Sequence, residues 1–124
     1  MKRRVLVIED QPSNRELLCD WLEDEGYEVF TVSDLSSARS AVQKEILHAV
    51  LLDVQLGAED GLELARWARR QPRLRRLPII AVSAHAMLTE RAAILRAGCN
   101  AFVSKPVDFR LLRETLDHWL GAIK

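Results

Sequence analysis

Five short apolar runs alternate with five longer segments of helical periodicity, and this alternation is the strongest constraint on the fold. The runs are rich in β-branched residues and are bounded by charged residues, Pro or Gly, which favours strands over turns of helix. They are Val5–Ile8, Val29–Val32, Ala49–Leu52, Ile79–Val82 and Ala101–Val103. A strand–helix order repeated five times predicts an α/β fold, a doubly wound parallel sheet of five strands with five helices.

The composition of each run and segment predicts where it lies. The first, third and fourth runs are almost wholly apolar, as expected for central strands buried on both faces, whereas the polar second run and the short fifth run are expected at the edges. In the fourth segment, Leu88, Ala92 and Leu95 recur at helical spacing, which predicts the buried face of that helix. The fifth segment begins near Phe109 and includes Trp119 on its apolar face.

Length and charge exclude several classes of protein. The chain has 124 residues, which predicts one domain over residues 1–124. It carries 18 Lys and Arg residues against 18 Asp and Glu residues, so a net charge of zero argues against direct nucleic-acid binding. No apolar run is long enough to insert into a membrane. Two cysteines and no signal peptide favour a cytoplasmic location.

Polar residues follow four of the five predicted strands. The carboxyl ends of parallel strands meet at one edge of the sheet, where ligands bind in folds of this class. We therefore expect the residues that end the first, third, fourth and fifth runs to lie together. They are Glu9, Asp10, Asp53, Ser83 and Lys105.

These side chains suit phosphoryl chemistry on a carboxylate. Three neighbouring carboxylates repel one another unless a cation offsets them, and Mg²⁺ prefers such oxygen ligands. Lys105 and Ser83 are suitable partners for phosphate oxygens. An aspartate can act as a nucleophile and carry a phosphoryl group, with the protein supplying position and neutralising charge.

Four segments in order resemble the receiver (CheY-like) domain of two-component response regulators. The segments are VLVIEDQPSNRELL, LLDVQLGAEDGLEL, PIIAVSAHAM and RAGCNAFVSKPV, and the resemblance covers essentially the whole chain. It implies the flavodoxin-like strand order 2-1-3-4-5, for which the chemotaxis regulator CheY is a standard example. It also implies a signalling phosphoacceptor that phosphorylates and dephosphorylates only itself, and not a turnover enzyme.

The resemblance assigns roles to matching positions. Asp53 would be the phosphoacceptor, assisted by Ser83 and Lys105, and Lys105-Pro106 would be a cis peptide bond. Mg²⁺ would be the cofactor. Its ligands would be Glu9, Asp10, Asp53 and the main-chain carbonyl of Gln55.

The resemblance also implies a switch, in which Phe102 rotates inward when Ser83 moves toward the phosphate. This would change the surface formed by the fourth helix, fifth strand and fifth helix. The chain departs from the usual pattern at Gly57, where Pro is common, and the glycine predicts a more permissive loop. Gln55 and His85 lie two residues past Asp53 and Ser83 and are expected to tune the lifetime of the phosphoryl group.

The expected partners are a histidine kinase or histidine phosphotransfer domain and a downstream protein that binds the switching surface. The protein would be a monomer or a phosphorylation-dependent dimer. A single-domain response regulator is the favoured context, and a receiver domain excised from a hybrid histidine kinase or larger regulator is the alternative. An aspartyl-nucleophile phosphohydrolase and a phosphorylation-independent binding module are further hypotheses, which the order of the acidic residues and the complete residue set oppose.

Six arginines form the strongest local excess of charge. They lie at the end of the third helix and in the loop after it, and two interpretations stay open. One is a solvated helix C-terminus, where positive charge is favourable; the other is a docking patch for an acidic partner. The arginines are Arg66, Arg69, Arg70, Arg73, Arg75 and Arg76.

Overall fold

A computed structural model describes residues 2–84 and 87–121. Its main sheet has five parallel strands, each of which contains one of the apolar runs. The strands are β1 (Arg4–Ile8), β2 (Glu28–Val32), β3 (Ala49–Asp53), β4 (Ile79–Ser83) and β5 (Ala101–Ser104). They are ordered β2-β1-β3-β4-β5, which confirms the predicted topology with β2 and β5 at the edges.

Five α-helices follow the strands. They are α1 (Pro12–Asp24), α2 (Leu35–Lys44), α3 (Leu62–Arg69), α4 (Leu88–Ala97) and α5 (Phe109–Leu120). Proline occupies the first position of α1, where its missing N–H costs nothing. Asp34 and Asp108 cap α2 and α5 by accepting hydrogen bonds from first-turn amides. Among the described residues, no helix has the length and apolar character needed to cross a bilayer.

The sheet separates two apolar cores. Alternate side chains of β1 and β3 point to opposite faces, so Leu6 packs with α2, α3 and α4 whereas Val7 packs with α1 and α5. Strands buried on both faces need apolar residues at every position, and β3 and β4 are buried throughout. This burial holds the carboxyl ends of the central strands in a fixed frame.

The predicted buried face of α4 is wrong. Leu88 is 81% exposed and Leu95 is 53% exposed, whereas Ile94 and Ala97 face the core. Apolar residues occur all around α4, so periodicity alone could not select the side that meets β5 and α3. Trp119 of α5 is likewise 39% exposed. The buried, sheet-facing sides of α4 and α5 are therefore narrower than the distribution of apolar residues on these helices suggests.

The arginine-rich segment lies at the end of the sheet opposite the carboxyl edge, and part of it is structural. The half-buried Arg69 donates hydrogen bonds to the carbonyls of Leu74, Leu77 and Gly98 and to Asn100 Oδ1. This guanidinium joins α3 to the turns that precede β4 and β5. The simple picture of a solvated helix end therefore does not hold for Arg69.

Two further arginines of the segment have local partners. Arg73 donates to the carbonyls of Val42 and Gln43, at the C-terminal end of α2. Arg66 pairs with Asp60 and Glu63. Three of the six guanidinium groups therefore have intramolecular partners, which weakens the hypothesis that the arginines form a docking patch for an acidic partner.

Candidate metal centre and active site

The carboxyl edge of the sheet brings the expected polar side chains together. Glu9 follows β1, Asp53 ends β3, Ser83 ends β4 and Lys105 follows β5. Glu9 is 1% exposed, Asp53 5% and Ser83 4%, which is unusual burial for polar residues. The Lys105 amide donates to the Ser83 carbonyl over 2.8 Å, and this bond continues the β4–β5 pairing past the last residue of β5.

Lys105 connects two buried carboxylates. Its Nζ lies 3.0 Å from Asp53 Oδ2 and 3.3 Å from Glu9 Oε1. Burial by itself lowers the pKa of Lys105, but hydrogen bonds and charges from Asp53 and Glu9 outweigh it and raise the pKa. The ammonium group therefore stays charged. The Lys105-Pro106 peptide bond that follows it is cis, as expected.

Glu9 lies in an environment that disfavours its charge. Burial is the largest cause, and the neighbouring Asp53 adds to it, so the pKa of Glu9 rises from 4.5 to about 7 despite the opposing effect of Lys105. Glu9 Oε2 is buried and has no hydrogen-bond partner among residues 2–84 and 87–121. A carboxylate left in this state needs either a proton or an additional cation.

The donor set fits a hard divalent cation. Oxygen atoms of Glu9, Asp10 and Asp53 all lie within 4.8 Å of one another. Mg²⁺ prefers oxygen ligands at about 2.0–2.1 Å and usually keeps several waters. The unpartnered Glu9 Oε2 is consistent with such an ion. Beside these residues lies a cavity of about 330 Å³ that also reaches Ser83.

The loop after Asp53 folds back as a short antiparallel ribbon, which we did not predict. Residues 55–56 pair with residues 59–60, and the Gln55 amide donates to Asp53 Oδ1 over 3.1 Å. Gly57 turns the ribbon with a φ of +58°, a value that proline cannot adopt. Glycine therefore suits this turn better than the proline that is common there, and the more permissive loop stays a prediction.

Gly61 closes the same loop through a close backbone approach. A Cβ atom added there would lie 2.1 Å from the Asp53 carbonyl oxygen. The Gly61 amide also donates to the Val54 carbonyl over 2.7 Å. Sequence reasoning missed this position, although a glycine eight residues after the candidate nucleophile was a usable signal.

Two other polar residues were also missed. Gln11 and Asn14 line the cavity from the start of α1, shortly after Glu9 and Asp10. Their position in the chain was the available signal. His85, which was expected to tune the phosphoryl lifetime, lies outside the described residues.

Phe102 sits on the edge strand β5 and is partly buried against the core. The guanidinium carbon of Arg91, on α4, lies 4.7 Å from the centre of its ring, within range of a cation–π contact. The expected switch residue therefore contacts both the core and α4. Its rotation stays a prediction.

The sheet order and the charged side chains at its carboxyl edge are those expected of a receiver domain, a class of signalling domain. Comparison with known proteins agrees with this assignment. The family model of the response regulator receiver domain matches residues 5–117, and the chain belongs to that family of two-component signalling proteins.

Relatives and solved structures cover nearly the whole chain. The polar-differentiation response regulator DivK of Brucella anthropi is 33% identical over 121 residues, 98% of each protein. The receiver domain of sensor histidine kinase PA1611 from Pseudomonas aeruginosa, solved with magnesium coordinated in its active-site cleft, is 33% identical with a TM-score of 0.89. That match covers 98% of this chain and all of the other. Chemotaxis protein CheY4 of Vibrio cholerae has a TM-score of 0.91 at 26% identity, over 97% of this chain and 98% of that one.

Proposed function

We propose that Asp53 accepts a phosphoryl group from a phosphohistidine of a histidine kinase or a histidine phosphotransfer domain. The observation that carries this proposal is the contact of Lys105 with both Asp53 and Glu9, which together with Asp10 form the acidic cluster. Membership of the receiver family supports the class of donor. The magnesium in the PA1611 receiver domain supports the same cofactor here.

The chemistry of the transfer follows from the charges. The Asp53 carboxylate attacks phosphorus, the P–N bond of the donor breaks, and its electron pair returns to the imidazole. Lys105 neutralises charge on the transferred group, and Ser83 donates a hydroxyl hydrogen bond to it. Water later attacks the mixed anhydride, which releases inorganic phosphate and restores the carboxylate.

Glu9, Asp10 and Asp53 would hold Mg²⁺ with the main-chain carbonyl of Gln55. When bound, the ion supplies positive charge to the phosphoryl oxygens. In its absence, Glu9 and Asp53 repel each other in a buried site and Lys105 offsets only part of their charge. Bound Mg²⁺ would therefore offset the negative charge of the carboxylates and of the incoming phosphoryl group together.

The output would be a population shift of the surface formed by α4, β5 and α5. Phosphorylation draws Ser83 and Lys105 toward the phosphate and gives Phe102 space to turn inward, away from Arg91. A downstream protein that prefers one arrangement then reads the phosphorylation state, either as a monomer contact or through dimerisation. Exposed Leu88 and Leu95 on α4 provide apolar area for such a contact.

The domain context has two candidates. Whole-length likeness to DivK favours a response regulator that acts as a single domain. Equal identity to the receiver of sensor kinase PA1611 keeps a hybrid kinase as the second candidate. An immunoblot of the source cells separates them, because a hybrid kinase runs far above a 124-residue chain.

Phosphorylation can be tested directly with a small phosphodonor and Mg²⁺. We expect the mass of one phosphoryl group to be added, stable in acid and labile in base. Asp53→Asn should abolish this addition, whereas Asp60→Asn, in the same loop but exposed, should not. An unmodified wild-type chain with its fold intact would instead support a binding module. Turnover of a phosphate ester that needs Asp53 would support a phosphohydrolase.

A further inference from the structure

The ribbon after Asp53 contacts α2 through one side chain. Glu59 Oε1 accepts a hydrogen bond from the amide of Leu35 over 3.1 Å. Leu35 is the first residue of α2, and the helix already has its own cap, because Asp34 accepts from the Ser37 amide over 2.7 Å. A carboxylate at this position also interacts favourably with the positive end of the helix dipole.

The same ribbon contacts the proposed phosphoacceptor. Gln55 donates its amide to Asp53 Oδ1, and Gln55 pairs with Asp60 as Leu56 pairs with Glu59. Gly61 closes the loop on the Val54 carbonyl. The first strand of the ribbon therefore contacts a carboxylate oxygen of Asp53, and the second strand contacts the first turn of α2.

We propose that Glu59 is a positioning residue that holds this ribbon, and with it the Gln55 backbone, in place for metal binding at Asp53. Through the same bond, occupancy of the site is transmitted to the first turn of α2. This inference rests on the proposed function, since it concerns the ribbon that carries the Gln55 carbonyl. It adds a route from the site to α2 that is separate from the surface of α4, β5 and α5.

A simple capping role makes a different prediction. If Glu59 only stabilised α2, its removal would lower the melting temperature without changing Mg²⁺ affinity. If Glu59 acted only through its negative charge, Glu59→Gln and Glu59→Ala would weaken Mg²⁺ binding equally. A positioning role requires the oxygen acceptor, so Glu59→Gln should retain most of the affinity that Glu59→Ala loses.

The test is a Mg²⁺ titration followed by ¹H–¹⁵N spectra of the full chain and its variants. We expect Glu59→Ala to bind Mg²⁺ about three- to tenfold more weakly, the range of one such hydrogen bond. Glu59→Gln should stay near wild type. The matched control is Glu63→Ala, an exposed acid on α3 that pairs with Arg66, and it should also bind normally.

The amide signal of Leu35 gives the second measurement. It should move with Mg²⁺ in the wild type and in Glu59→Gln, and stay still in Glu59→Ala even at saturation. Equal affinities for Glu59→Ala and Glu59→Gln, or a Leu35 signal that ignores Mg²⁺ in the wild type, would overturn the inference. Phosphorylation of wild-type Asp53, measured by mass, tests the proposed function separately, so the two failures are distinguishable.

Discussion

Gly61→Ala should damage both the fold and the site, because the added methyl group meets backbone. The new Cβ would lie 2.1 Å from the Asp53 carbonyl oxygen and 3.0 Å from that of Val54. Cβ atoms essentially never approach within 3.0 Å, so β3 or the ribbon must shift by about 0.9 Å. Gly61 has a φ of −58°, so the backbone conformation itself suits alanine and the clash alone causes the effect.

The size of the effect follows from that displacement. Overpacking costs about 1–3 kcal/mol, and the upper end applies because the neighbouring atoms are backbone. For a domain of this size we expect the melting temperature to fall by about 10 °C. A catalytic group misplaced by about 1 Å can lose about a hundredfold in rate, so phosphorylation of Asp53 should slow on that scale.

Gly26→Ala is the matched control, because it separates backbone strain from steric clash. Gly26 has a φ of +98°, and nothing lies within 4 Å of an added Cβ. This variant should lose about 1–2 kcal/mol from its left-handed conformation. Its phosphorylation rate with a small phosphodonor should match the wild type. A Gly61→Ala protein with wild-type melting temperature and rate would refute the steric reasoning.

Three further predictions concern charge. Without metal, Lys105→Ala should lower the free energy of unfolding by about 1–3 kcal/mol, because Lys105 is a partly exposed counter-ion to buried carboxylates. Saturating Mg²⁺ should recover much of that loss in a thermal melt. Because the pKa of Glu9 is raised, its contribution to stability is complete below about pH 4.5 and is lost as the pH rises through about 7. Mg²⁺ needs the carboxylate form, so it should raise the melting temperature more at pH 8 than at pH 6. Equal rises at the two pH values would contradict this. In chemical denaturation, Arg69→Ala should lower the free energy of unfolding by about 3 kcal/mol or more, whereas Arg70→Ala, at an exposed residue, should change it by no more than about 0.5 kcal/mol. Similar losses in the two variants would exclude the structural role assigned to Arg69.

Much of the fold could be predicted because parallel sheets leave a clear pattern. Strands buried on both faces must be apolar throughout, and the change from apolar to acidic after Ile8 and Leu52 marks where they reach the carboxyl edge of the sheet. With the strand order that the family resemblance implies, the common edge of parallel strands then places Glu9 beside Asp53. Residues 44 apart in the chain became neighbours by topology alone.

Other features could not be predicted because they depend on contacts between elements. Leu95 and Ile94 are adjacent apolar residues of α4, and only the docking of the helix decides that Ile94 is buried and Leu95 exposed. Arg69 looked like a surface charge but donates to three carbonyls, two in the connection before β4 and one in the turn before β5. The side chain of Glu59 contacts the start of α2, 24 positions away in the chain, and no local sequence pattern indicates this contact.

The amino-acid sequence alone was enough to predict which strands exist, which carboxylates end them, and that a lysine and a hydroxyl accompany them. These follow from hydrophobic periodicity and residue type, which are local properties of the chain. The distances from Lys105 to Asp53 and Glu9, the raised pKa of Glu9 and the attachment of the loop to α2 depend instead on the folded arrangement. Those quantities depend on how closely separate elements pack and how completely they exclude water, because electrostatic energy varies with separation and local dielectric.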